Sequence, residues 1–168
     1  MKELIFVRHA KSDWGTEFLK DVDRPLNERG YTDAYFMSKW FLKNKKLPEV
    51  ILSSSATRAL NTALIFVRTF EFNMNNFFIN ETIYESSVSN LISVVQQQNT
   101  AIKTLMVFGH NTCITETCNL LTDDVFFDNV STCGIVHLKF EIDSWKELGN
   151  KKGSLVFYQL PKDLRKAD

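Results

Sequence analysis

Three short apolar runs, Leu4-Ile5-Phe6-Val7, Val50-Ile51-Leu52 and Leu105-Met106-Val107-Phe108, contain no polar residue and are too short to be helices. Runs of this kind mark strands buried on both faces, and the stretches between them carry apolar residues at helical spacing. The alternation predicts a three-layer α/β/α sandwich around a central, mostly parallel sheet. Each run stops abruptly on polar residues: Arg8-His9 after the first, Ser53 to Arg58 after the second, and Gly109-His110-Asn111 after the third. Ligands of open α/β folds bind at the carboxyl edge of the sheet, so two arginines and two histidines distant in sequence can converge on one point.

Between the runs, the pattern places a helix over 27–43, with Asn27 as its cap, Tyr31, Ala34, Met37 and Phe41 on the buried face and Trp40 at the margin. A second helix carries Arg58 in its first turn and the stripe Ala59, Leu60, Ala63, Phe66, Val67 and Phe70. A strand at 77–79, a helix near 89–98 and a helix over 112–121 follow. Strands over 135–142 and 154–160 flank a turn at 149–153 and read as a terminal hairpin, which makes the sheet mixed. Residues 1–168 are expected to form a single domain, with 161–168 as a frayed tail.

Lys plus Arg and Asp plus Glu both number 20, so no global field attracts nucleic acid or an acidic membrane, and anion recognition must be local. The start of the chain lacks the apolar core of a signal peptide, and no later stretch is long enough to span a bilayer, which predicts a cytoplasmic protein. Cys113, Cys118 and Cys133 show no Cys-x-x-Cys pair and no zinc spacing. Reduced, buried thiols are expected, and neither a metal nor a cofactor.

A phosphoryl group suits the convergent set. Guanidinium groups match its oxygens with paired donors, which assigns Arg8 and Arg58, and a helix opening after His110 adds its positive end. No serine stands in a nucleophile elbow and no Cys-x5-Arg loop exists, so His9 remains as the nucleophile. Neighbouring guanidiniums keep its imidazole unprotonated.

Leu4 to Ser12 resembles the signature of the histidine phosphatase superfamily, with Ala10 where glycine is commoner. Asp23 to Gly30, Ser53 to Ala63 and Gly109-His110-Asn111 extend the resemblance to its compact SixA-like branch, which has the phosphoglycerate mutase-like fold. The resemblance implies a phosphohistidine intermediate on His9, a pocket completed by Arg8, Arg58 and His110, and substrate contacts from Arg24, with Ser12 and Asn111 beside them. It also implies that Glu81 or Glu85 lies where the mutase-like branch keeps its general acid.

Three functions follow as alternatives. The first is metal-independent hydrolysis of phosphohistidine on a protein partner, because a nitrogen leaving group needs less help from an acid than an alkoxide. The second is a phosphatase of small phosphorylated metabolites using Glu85 or Glu81. The third is a phospho-ligand binding module without turnover.

Overall fold

Strands β1 (Lys2–Arg8), β2 (Val50–Ser53), β3 (Phe77–Ile79), β4 (Thr104–Gly109), β5 (Ile135–Phe140) and β6 (Ser154–Gln159) form the sheet of the computed structural model, which describes residues 1–15 and 18–166. Their order is β3-β2-β4-β1-β5-β6, with the first four parallel, β5 antiparallel to β1 and β6 antiparallel to β5. Helices α1 (Glu28–Asn44), α2 (Thr57–Thr69), α3 (Val88–Gln96), α4 (Cys113–Leu121) and α5 (Pro161–Arg165) complete a mixed α/β fold. No helix among the described residues is long and apolar enough to cross a membrane.

The pleat sorts each apolar run between two cores. Leu4, Phe6, Leu105 and Val107 join Leu91, Val94 and Val95 of α3 and Ile114, Cys118 and Leu121 of α4. Ile5, Val7, Met106 and Phe108 face the other way and join Ala34, Met37 and Phe41 of α1 and Ala63 and Phe66 of α2. Both faces of the central strands are thereby covered, which is why those runs contain nothing polar.

Several expectations change in detail. Tyr31 is 41% exposed rather than buried. The buried stripe of α1 begins instead at Gly30, where an added Cβ would stand 2.0 Å from the carbonyl oxygen of Lys11, so only glycine lets helix and loop approach. Asn27 caps the helix as expected, its side chain accepting from the Gly30 amide at 2.8 Å.

The connection from β5 to β6 is longer than a hairpin turn. It holds a short 3-10 turn, Trp145–Glu147, closed by a capping box between Ser144 and Glu147, with the Trp145 side chain fully buried. The 161–166 stretch is not frayed: Leu164 packs on the core under α1, and Arg165 lies 2.5 Å from the buried Asp33 carboxylate. Residues 167 and 168 fall outside the described residues. His137 sits in β5 with Nε2 at 3.0 Å from a Glu3 carboxylate oxygen, and Phe127 is buried while its neighbour Phe126 is 76% exposed.

Candidate active site

Strands β2, β4 and β1 are neighbours running in one direction, so their carboxyl ends open on the same side of the molecule. Arg8 ends β1 and His9 follows it; Gly109 ends β4 and His110 follows it; Arg58 lies in the first turn of α2, just after β2. A cavity of about 290 Å³ lies there, walled by Arg8, His9, Arg58 and His110 with Ser12, Arg24 and Asn111. Lys11, Trp14 and Thr132 complete its wall. The rings of His9 and His110 are 5.3 Å apart.

Arg8, Arg24, Arg58 and His110 are each held by neighbouring groups and each keep a further buried polar atom unpaired, while His9 is held through one ring nitrogen. His9 Nδ1 lies 2.7 Å from the carbonyl oxygen of Ala10. A carbonyl can only accept, so the proton sits on Nδ1 and the lone pair on Nε2. Burial pulls the His9 pKa down to about 3; the Ala10 bond opposes this, while His110, Arg58 and Arg8 add to it. Burial, with Arg58 next in weight, brings His110 to about 4. Both imidazoles are therefore neutral at physiological pH.

His110 Nε2 is 2.7 Å from Ser54 Oγ, which also accepts the Ala56 amide at 3.2 Å. With the Ser54 hydroxyl donating to Nε2, the ring proton of His110 is on Nδ1. Arg8 is anchored by Nη1 donating to the Val130 carbonyl at 2.8 Å, and burial lowers its pKa. Arg58 Nη1 donates to the Asp21 carbonyl at 2.7 Å and Nη2 to the Asp21 carboxylate at 3.0 Å. Arg24 Nε donates to the same carboxylate at 3.0 Å, and its guanidinium stacks 3.7 Å from the centre of the Trp14 ring. What is left over is informative: Arg8 Nε, Arg24 Nη1, Arg58 Nε and His110 Nδ1 are buried polar atoms without a hydrogen-bond partner among the described residues. All belong to residues of this one cavity. Buried donors are rarely left unpaired without a functional reason.

The model of the histidine phosphatase superfamily (branch 1) matches residues 4–78, the segment from β1 through β3 that carries Arg8, His9, Arg24 and Arg58. Over that segment the chain is similar to the histidine phosphatase superfamily. A chloroplast protein of Arabidopsis thaliana is 29% identical to this chain over 154 residues, covering 87% of this chain and 70% of the relative. A structure described as a phosphohistidine phosphatase SixA from Agrobacterium tumefaciens superposes with a TM-score of 0.82 at 23% identity, over 95% of this chain and 98% of the other. The protein histidine phosphatase SixA in complex with tungstate gives 0.81 at 18% identity, over 96% and 99%. The two structures establish the shared fold.

Not every residue anticipated from the sequence lines the cavity. Glu81 and Glu85 are exposed and absent from the wall. The Asn80 side chain caps a 3-10 turn over Glu81–Ile83 that buries Ile83 and turns Glu81 outward, and Glu85 follows at a φ of +48°. Asn111 lines the cavity but spends its amide elsewhere, donating to Asn129 Oδ1 at 2.7 Å and the Val130 carbonyl at 3.0 Å and accepting from Thr115 at 2.9 Å. It secures the loop behind Arg8 and offers no free donor. Asp21, Tyr84 and Ser54 escape a reading of the sequence. Asp21 ties Arg24 and Arg58 together and accepts from the Tyr84 hydroxyl at 2.8 Å. Asp21 is one acid among several in its loop and Tyr84 one aromatic among many; the only sequence hint for Asp21 is its place three residues before Arg24, which suits a tight turn.

Proposed function

We propose that this protein is a phosphatase working through a phosphohistidine on His9, and that its substrate is phosphohistidine on a protein partner. The observation that carries the reading is the group of buried, unpaired polar atoms around His9: Arg8 Nε, Arg24 Nη1, Arg58 Nε and His110 Nδ1. They suit an oxyanion such as a phosphoryl group, whose oxygens accept from every one of them. Tungstate, bound by the similarly folded SixA, is an oxyanion of that kind.

The geometry supports the following steps. Nε2 of His9, with its lone pair free, attacks phosphorus while the bond to the leaving group breaks and the electron pair departs with that group. Arg8, Arg58 and Arg24 hold the equatorial oxygens as charge shifts, and their fixed placement limits reorganisation. Water then attacks the phosphoryl group on His9, the electron pair returns to Nε2, and inorganic phosphate leaves. Nδ1 keeps its bond to Ala10 throughout, so the ring never loses its orientation.

The choice of a nitrogen leaving group is supported by the wall itself, which contains no carboxylic acid among the described residues. A sugar or metabolite monoester departs as an alkoxide and needs a proton delivered to it, whereas an imidazole needs far less. Rapid mixing with phosphohistidine-bearing substrate labelled in phosphorus, followed by quenching, tests the chemistry. Label that is acid-labile, base-stable and located on His9 is expected. Turnover with the label on serine or cysteine, or binding without phosphate release, would remove the mechanism.

A further inference from the structure

We propose that Asp21 makes the site selective for phosphorus–nitrogen over phosphorus–oxygen bonds by holding a proton on the departing imidazole. The proposal rests on the phosphoryl-transfer reading above and names a residue that decides the substrate class.

Asp21 is the carboxylate closest in its bonding to the phosphate clamp. One oxygen accepts from Arg24 Nε at 3.0 Å, and the other from Arg58 Nη2 at 3.0 Å and the Tyr84 hydroxyl at 2.8 Å. Tyr84 in turn stands edge-on to His110, with ring centres 5.7 Å apart. Despite these bonds the Asp21 side chain is 49% exposed. The half-exposed carboxylate thus borders the cavity through Arg24 and Arg58, which both belong to its wall, and the proposal puts the departing group on this side. Trp14, stacked on Arg24 and 76% exposed, offers a flat apolar surface in the same wall.

A brace for Arg58 could have been any acceptor; a half-exposed anion does something further. When Nε2 of His9 displaces a neutral phosphoimidazole, the ring must leave as imidazolate, an anion of high energy. A ring protonated on its far nitrogen leaves as neutral imidazole. The proton is on the substrate before the step and remains on the product, so no other reactant is required. A fixed negative charge within a few ångströms favours the protonated ring. For a monoester the same carboxylate is unhelpful: burial alone would raise its pKa, but Tyr84, Arg58 and Arg24 outweigh that and keep it lowered. An ionised Asp21 has no proton to give an alkoxide and opposes the charge developing on it.

The test compares wild type with Asp21→Asn on phosphoimidazole and on p-nitrophenyl phosphate, whose leaving group needs no proton, across a range of pH. The variant should lose roughly tenfold or more in kcat/KM on phosphoimidazole beyond whatever it loses on p-nitrophenyl phosphate. The alkaline limb of its phosphoimidazole profile should also move to lower pH by about one unit, with no matching shift for the other substrate. Equal losses on both substrates would make Asp21 a brace for Arg58 and overturn the proposal, as would a limb that stays in place. If Asn is not tolerated, Asp21→Ser permits the same comparison. Trapping label on His9 is run alongside in the wild-type protein: its absence would sink the phosphohistidine intermediate, whereas a trapped label with equal losses in the variant would sink the role of Asp21 alone.

Discussion

His9 and His110 show how burial tunes a residue for chemistry and charges the fold for it. With pKa values near 3 and 4 in the folded chain, both imidazoles are neutral, as the proposed roles of nucleophile and hydrogen-bond donor require. Unfolded imidazoles take up protons near the ordinary value of about 6.5. Below that value the unfolded chain binds more protons than the folded one, so acid favours unfolding. Stability present at neutral pH should decline as pH falls from about 6.5 toward 4, by an amount on the order of a few kcal/mol. Chemical denaturation at a series of pH values measures it, and His110→Asn should flatten the dependence; an unchanged slope in that variant would contradict the assigned burial cost. Arg8, His9, Arg58 and His110 were legible as site candidates because each stands where an apolar run ends. Asp21, Tyr84 and Ser54 were not, because their roles arise from contacts across the chain: Asp21 and Tyr84 are 63 positions apart, and Ser54 and His110 are 56.

Among the elements, the start of α1 has the closest link to the cavity. Asn27 donates its backbone amide to the Lys11 carbonyl at 3.0 Å, and Gly30 lies against the same carbonyl, so the helix clamps the loop that carries Lys11 and Ser12 into the wall. Gly30→Ala drives a methyl into backbone that cannot yield cheaply, and the expected loss is about 2 kcal/mol or more. Gly149 is the contrasting case: its φ is +93° with nothing within 4 Å of an added Cβ, so alanine there should cost only about 1 kcal/mol through backbone strain. Urea unfolding of the two variants separates crowding from strain, and a milder effect at Gly30 would refute the clamp. The helix itself was evident from its cap and period. Its buried face was misjudged by one residue, because a glycine carries no hydrophobic signal and the tyrosine beside it does.

At the level of the whole chain, α5 fastens the end of the polypeptide to the layer formed by α1 and α2. Asp33 is 2% exposed, and its carboxylate meets Arg165 at 2.5 Å and Arg29 at 3.6 Å. Both arginines are considerably exposed, so solvent screens part of the pairing. Removing the segment after Leu160 should leave Asp33 buried with one weaker partner, at a cost of about 1–3 kcal/mol after allowing for that screening. A truncated chain with the stability of the full one would show that Asp33 finds adequate solvation elsewhere. The fold class was readable because uninterrupted apolar strands demand cover on both faces. The end of the chain misled because its charged composition resembles a tail, and a single leucine and arginine decide otherwise.

Cys113, Cys118 and Cys133 are all buried, and burial pushes each sulfur's pKa up, so none exists as thiolate at neutral pH. Peroxide and disulfide exchange act on thiolates. If the proposed nitrogen nucleophile is right, peroxide at levels that silence enzymes built around a reactive cysteine should leave this protein's turnover intact, because its sulfurs are sealed away.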